Sequence, residues 1–148
     1  MHTISEILFQ FFLRDLNKVK EEISLYKNED DLWRVKGDIK NSAGTLTLHL
    51  IGNLRHFIGA QLGNTGYVRQ RDKEFSDRDV PRKTLLKELD EVIAVLNDVL
   101  PKIKDADLDK EYPIKFLEEK RTLGYILLTL STHLNYHLGQ INYHRRLL

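Results

Sequence analysis

The sequence predicts an all-α protein, a four-helix bundle with a long crossover connection between the second and third helices. Four stretches carry apolar residues at steps of three and four, which is the spacing of one helical face. No stretch of useful length alternates between apolar and polar residues as a half-buried strand would. The connection at residues 63–81 is longer than the about 2–8 residues usual between neighbouring helices, so it allows the second and third helices to run parallel.

The first two helices are separated by a polar loop. Apolar residues with helical spacing mark the first helix: Ile4, Leu8, Phe11, Phe12, Leu16, Val19 and Ile23. The loop at 27–37 follows, and we expect its Trp33 to anchor it to the core. The second helix is predicted at about 38–62, and Gly63 or Gly66 is expected to supply the left-handed residue that ends it. Its core-facing stripe includes polar members: Leu46, His49, Leu50, Asn53, Leu54, Phe57, Ile58 and Leu62.

The third and fourth helices are separated by a second polar connection. The stripe of the third helix stops just before Pro101: Leu85, Leu86, Leu89, Val92, Ile93, Leu96, Val99 and Leu100. The connection at 102–121 contains Pro113, and we expect an extended piece at about 112–117. The fourth helix is predicted at 122–148, with the Thr122 hydroxyl as its N-cap. Its apolar members are Leu123, Ile126, Leu127, Leu130, Leu134, Leu138 and Ile141.

Length and composition narrow the class of protein. A chain of 148 residues predicts one domain, residues 1–148, with a substantial core. A net charge of +1 indicates neither nucleic acid nor an anionic membrane as a partner. The absence of cysteine excludes disulfides, thiolate metal ligands and a cysteine nucleophile. The N-terminus lacks the pattern of a signal peptide and no apolar run approaches the roughly 20 residues of a membrane span, so we expect a cytoplasmic protein.

A pair of histidines on the fourth helix is the main functional signal. His133 and His137 lie on its apolar side, one turn apart, and residues at this spacing have Cβ atoms about 5–6 Å apart. Two such imidazoles can bind one metal ion, with Zn–N distances of about 2.0–2.1 Å. The alternative is a pair of core histidines that neighbours or water satisfy. His144 shares the face of His137 but lies about 10.5 Å further along the axis, too far for the same ion.

A site for one metal ion needs a third ligand, and the second helix offers His49 and His56. These two are seven residues apart on one face, so only one can lie at the height of the pair. His49 lies in the middle of its stripe, as the pair does, and is therefore favoured over His56. Asn53 and Gln140 each lie one turn beyond a candidate ligand. They either orient a ligand or a bound water, or hydrogen-bond between helices as core amides.

Other features of the sequence are less specific. Gly52 and Gly59 share a face of the second helix. Since glycine inside a helix costs about 0.5–1 kcal/mol relative to alanine, they indicate a close approach by another helix or by a second subunit. One group of mixed charges is interpreted as a solvated loop: Arg69, Arg71, Asp72, Lys73 and Glu74. As an alternative, Tyr67, Arg69 and Arg71 could reach over the open end of a site inside the bundle. There is no glycine-rich phosphate loop, no HExxH and no G-x-S-x-G.

A histidine in the second helix, with H-x-x-x-H followed by Gly-Gln in the fourth, resembles the DinB/YfiT-like superfamily of small four-helix metalloproteins. The matching stretches are LTLHLIGNLRHF (46–57) and HLNYHLGQI (133–141), and the helix count and loop lengths match over essentially the whole chain. The resemblance implies one divalent metal ion, zinc or nickel in different members, on three histidines that map onto His49, His133 and His137. Dimers are common among its members, which implies a possible homodimer here. Similar folds include thiol-dependent transferases and a maleylpyruvate isomerase, which use low-molecular-weight thiols, so the resemblance makes such a thiol a candidate cosubstrate.

Three neutral imidazoles would leave at least one coordination position open. That suits catalysis, since structural zinc is normally enclosed by four protein ligands. An open position can hold water and lower its pKa toward about 7, or hold a small thiol as thiolate. We therefore expect a metal-dependent enzyme with a small-molecule substrate, of the hydrolase or thiol transferase type. Two non-enzymatic alternatives stay open: a bundle that binds metal for structure or storage, and a helical interaction or stress module with core histidines.

Overall fold

The prediction of an all-α protein is confirmed by the structure, a computed structural model that describes residues 1–148. It contains five helices and no strand: α1 (Ile4–Leu25), α2 (Ala43–Leu54), α3 (Arg71–Ser76), α4 (Arg82–Val99) and α5 (Leu123–Leu147). Helix α2 continues without a break through a π-helical segment, Arg55–Ala60, and a last turn, Gln61–Gly63. None of the helices combines the length and the apolar character needed to cross a membrane.

Hydroxyl side chains set where three of the helices begin. Thr3, Ser42 and Thr122 each accept a hydrogen bond from a backbone N–H in the first turn of the helix that follows. Each bond satisfies one of the four N–H groups that a helix start leaves unpaired. The predicted cap at Thr122 is confirmed. The second helix begins at Ala43 rather than near Asp38, because the cap at Ser42 defines its first turn.

The end of the second helix differs from the prediction. The left-handed residue that follows Gly63 is Asn64, with φ of 50°. Asparagine enters this region more readily than most residues, because its short polar side chain can hydrogen-bond locally. Gly66 also has a positive φ, but it lies beyond the helix end. The predicted role of Gly63 or Gly66 is therefore wrong.

Helices α1 and α5 run parallel to each other. Asp15 accepts a hydrogen bond from Asn135 at 3.0 Å, and Glu22 accepts one from Arg145 at 2.6 Å. Residues later in α1 therefore contact residues later in α5. Helix α4 runs antiparallel to α1. Arg82, at the start of α4, donates to the carbonyl at the end of α1.

Helices α2 and α4 also run parallel, as the long connection between them allows. Arg55 donates to Glu91 at 2.6 Å, and one turn further a Cβ at Gly59 would lie 3.4 Å from the Val95 side chain. The connection between these helices therefore returns along the length of the molecule. Helix α3 lies within that connection and packs on α2.

The connections contribute to the apolar core. Leu32 is fully buried, and Trp33 packs partly buried against the core, as predicted. A Cβ at Gly44 would lie 2.7 Å from the Trp33 ring, so glycine is needed at that point of α2. Tyr112 is buried and its hydroxyl donates to the carbonyl of Phe57 in the π segment. The extended piece predicted at 112–117 is limited to two isolated bridges, Glu111 with Thr122 and Phe116 with Glu119.

Tyr112→Phe should test whether this hydroxyl holds the second connection to the π segment. The variant leaves the Phe57 carbonyl without its partner, so the free energy of unfolding should fall by about 1–2 kcal/mol. Urea denaturation measures the change. Tyr125→Phe is the control, because the Tyr125 side chain is about half exposed. An equal effect in both variants would contradict a role for the Tyr112 hydroxyl.

Candidate metal centre

The side chains of His49, His133 and His137 converge between α2 and α5. Nε2 of His133 lies 3.1 Å from Nε2 of His49 and 3.1 Å from Nε2 of His137. One ligand atom from each histidine lies within 4.8 Å of the others. Two nitrogens bound to one tetrahedral zinc ion at about 2.0–2.1 Å are about 3.3 Å apart, so the observed spacing is close to that of metal ligands.

Oxygen acceptors assign the tautomers of two of these histidines. Nδ1 of His49 lies 3.1 Å from a carboxylate oxygen of Glu74, and Nδ1 of His137 lies 2.7 Å from the amide oxygen of Gln140. Each Nδ1 therefore carries the proton, and each Nε2 presents a lone pair. Both lone pairs face Nε2 of His133, where a single proton can be donated fully to only one of them. A divalent cation would satisfy all three nitrogens, so the residues present fit a metal ion.

Burial favours the neutral form that a metal ion requires. The pKa of His133 is lowered to about 4, mainly by burial and to a smaller extent by the nearby His137, His49 and Arg69. Burial also lowers the pKa of His137; its hydrogen bond with Gln140 opposes that shift and the nearby His49 adds to it. At neutral pH both imidazoles are therefore unprotonated, with lone pairs free to coordinate.

A buried carboxylate lies behind His49. Glu74 is only 6% exposed, and Arg69 donates to both of its oxygens at 2.9 Å. Burial alone would raise the pKa of Glu74, but the hydrogen bonds from His49 and Arg69 outweigh it and hold this pKa below its ordinary value. Phe75 packs against the His49 ring, with centroids 4.9 Å apart. The interpretation of residues 69–74 as a solvated loop is therefore wrong for Arg69 and Glu74.

Glycine at position 52 makes room for this carboxylate. A Cβ there would lie 1.9 Å from Oε2 of Glu74. The predicted close approach at Gly52 is real, and the approaching group is the side chain of Glu74 on α3. Helix α3 has six residues, which is too short for an apolar stripe to predict it. Gly52 was the one sequence feature that indicated a close approach to α2 at this point. A buried charged residue gives no hydropathy signal of its own.

The two amides predicted beside the ligands differ in their contacts. Gln140 contacts His137, as described above. Asn53 is 7% exposed, and its buried Oδ1 has no hydrogen-bond partner. Nδ1 of His133 is likewise buried without a partner. The cluster therefore keeps polar atoms that neighbouring side chains do not satisfy.

The remaining candidate histidines lie outside the cluster. The ring of His56 packs against Phe57, with centroids 4.7 Å apart. His144 is buried, and its Nδ1 lies 2.6 Å from the Tyr26 hydroxyl and its Nε2 2.7 Å from the carbonyl oxygen of Arg34. It therefore ties the end of α5 to the segment that follows α1.

Fold and cluster together define a helical protein with three converging histidines that could hold a metal ion. The model of a family described as "Protein of unknown function (DUF1572)" matches residues 8–148, and the chain belongs to this family. The matched range includes all three histidines of the cluster. No curated protein matches the sequence.

The pH dependence of zinc affinity should report the depressed pKa values. Three imidazoles with ordinary pKa values of about 6.5 would weaken binding about a thousandfold per pH unit below that value. Since the pKa of His133 is about 4 in the folded protein and the pKa of His137 is also lowered, we expect a smaller loss, below about a hundredfold per unit, between pH 6.5 and 5. Competition with a chromophoric chelator measures the affinity. A thousandfold loss per unit would contradict the lowered pKa values.

The lowered pKa of His133 also determines how the stability of the metal-free protein depends on pH. The pKa of His133 is lower when folded than when unfolded, so folding releases its proton. The contribution of His133 to the free energy of unfolding is therefore fully present above about pH 6.5, the ordinary histidine pKa, and is lost as the pH falls toward about 4.

Proposed function

We propose that the protein is a metal-dependent enzyme of the DinB/YfiT-like type, built on a four-helix bundle. His49, His133 and His137 hold one divalent metal ion, and the observation that carries this is the distance of 3.1 Å from Nε2 of His133 to Nε2 of each of the other two. The two parallel pairs of long helices and the resemblance of the histidine motifs also support it. Zinc or nickel is proposed because members of the superfamily that the motifs resemble hold one or the other, and imidazole ligands suit both.

The ion would supply Lewis-acid activation of water or of a small thiol at the position that three protein ligands leave open. The chain's own residues orient the ligands. Glu74 and Gln140 accept the Nδ1 protons of His49 and His137, which aims both Nε2 lone pairs at the centre. This arrangement supports a thiol transferase or a hydrolase as the class of enzyme.

A small-molecule substrate, a low-molecular-weight thiol among them, forms part of this proposal. A cavity of about 650 Å³ adjoins His137 and Gln140, within the range of about 300–1,000 Å³ typical of small-molecule pockets. Apolar and aromatic side chains contribute to its walls, among them Leu46, Tyr136 and Tyr143. Turnover of electrophiles with added small thiols, compared before and after chelation, tests the class of reaction. Metal-independent rates would contradict it.

We also propose that the chain forms a homodimer in the cytoplasm. The outward face of α5 supports the dimer, because it exposes large apolar and aromatic side chains: Tyr125, Leu128, Tyr136, Tyr143 and Leu147. No Asp, Glu, Lys or Arg occurs between Arg121 and Arg145. Light scattering coupled to size exclusion measures the mass, and a monomer at high concentration would contradict the dimer.

Substitution of the ligands tests the metal site itself. His133→Ala and His137→Ala should each lose most of the bound metal, because the two remaining imidazoles bind far more weakly. Elemental analysis of the untagged protein measures the metal content. Zinc should also raise the melting temperature of the wild type and not that of either variant.

His56→Gln is the matched control for these variants. His56 lies on the same helix as His49 but outside the cluster, so its replacement should leave metal content unchanged. If the control loses the metal, or if either alanine variant keeps it, the ligand assignment is wrong.

A further inference from the structure

The crossover connection between α2 and α4 contacts the candidate metal centre through one side chain. Helix α3 has six residues, too short to be stable by itself, so contacts with its neighbours hold it in place. Its Glu74 reaches Nδ1 of His49 at 3.1 Å from within the connection. The cluster of α2 and α5 is thus completed by a segment that belongs to neither helix.

Two features place the Glu74 carboxylate behind His49. Arg69 donates from Nε and Nη2, one hydrogen bond to each carboxylate oxygen, both at 2.9 Å. This two-point contact fixes the plane of the carboxylate as well as its position. Gly52 leaves the space that Oε2 occupies, since a Cβ would lie 1.9 Å away. The carboxylate is therefore held by Arg69, fitted against Gly52 and almost completely buried.

Such a carboxylate has a specific effect on a metal ligand. A histidine that binds metal through Nε2 must carry its proton on Nδ1, and a carboxylate acceptor holds that tautomer and the ring orientation. The same acceptor makes Nε2 a stronger donor to the metal. Metal binding in turn makes the Nδ1–H a better hydrogen-bond donor, so the two contacts strengthen each other.

We propose that Glu74, held by Arg69, is a positioning residue of the metal centre and ties the crossover segment 64–81 to His49. This inference rests on the proposed function, because it takes His49 to be a metal ligand. Coupling between binding events is reciprocal. Whatever factor Glu74 adds to metal affinity, the metal adds to the docking of the crossover segment.

Glu74→Gln tests the charge of the acceptor at nearly constant size. Loss of a carboxylate partner of a ligand histidine typically weakens metal affinity about 10–100-fold, and we expect a loss in that range. Asp72→Asn is the matched control, because Asp72 lies exposed on the same helix and outside the cluster. Its zinc affinity should stay within about twofold of the wild type. Chelator competition measures both.

Gly52→Ala tests the position of the carboxylate without changing any residue that contacts the metal or His49. Alanine is the better helix former, so the helix itself should not be weakened. The new methyl group displaces Glu74, and zinc affinity should fall about as far as in Glu74→Gln. Gly139→Ala is the control, since a Cβ there meets no atom within 4 Å.

Proteolysis gives a second readout that does not depend on enzymatic activity. Trypsin can cut after Arg69, Arg71, Lys73 and Arg78, all within the crossover segment. Zinc should slow these cleavages at least tenfold in the wild type and much less in Glu74→Gln. A wild type that binds no metal would overturn the proposed function as well. A wild type that binds zinc, with Glu74→Gln and Gly52→Ala matching their controls in affinity, would overturn this inference alone.

Discussion

Three imidazole nitrogens that point at one another cannot all be satisfied by the protein's own hydrogen atoms. Glu74 and Gln140 accept the Nδ1 protons of two of the rings, which leaves lone pairs aimed at Nε2 of the third. Burial keeps at least two of the rings neutral, so repulsion between charged imidazolium groups does not open the cluster. A cation between the three rings would satisfy these lone pairs, and the contacts of Glu74 and Gln140 hold two of the rings in this arrangement.

The helical scaffold brings this arrangement about through two separate contacts. The i,i+4 spacing on α5 places His133 and His137 on one face, and packing of α2 against α5 brings His49 to the same height. The parallel course of α2 and α4 requires a long connection, and that connection passes beside His49. Crossover topology therefore has a chemical consequence, because it delivers the carboxylate of Glu74 to the back of a candidate ligand.

Much of the fold could be predicted because its determinants are local. Apolar stripes with helical spacing located the four long helices, and the hydroxyl of Thr122 marked where the last one begins. The parts that could not be predicted depend on tertiary contacts. The π segment at Arg55–Ala60 leaves the apolar stripe nearly unchanged, so the sequence pattern does not reveal it. The residue that ends the second helix in the left-handed conformation is Asn64, although glycine, which adopts this conformation at less cost, occurs at 63 and 66.

In the candidate site, too, the residues with a local sequence signal could be predicted and those that depend on tertiary contacts could not. His133 and His137 were readable from their spacing, whereas the choice of His49 over His56 needed the family resemblance as well as position. Glu74 and Arg69 were missed, because a charged segment predicts exposure unless the fold supplies partners that compensate for burial. Such a pair becomes visible only when helices that are distant in sequence are brought together.

A crystal structure of the untagged protein grown with zinc, with anomalous data collected at the zinc edge, tests the metal centre most directly. We expect one strong anomalous peak about 2.0–2.1 Å from Nε2 of each of His49, His133 and His137. A peak elsewhere, or no peak with these three side chains hydrogen-bonded only to each other, would contradict it.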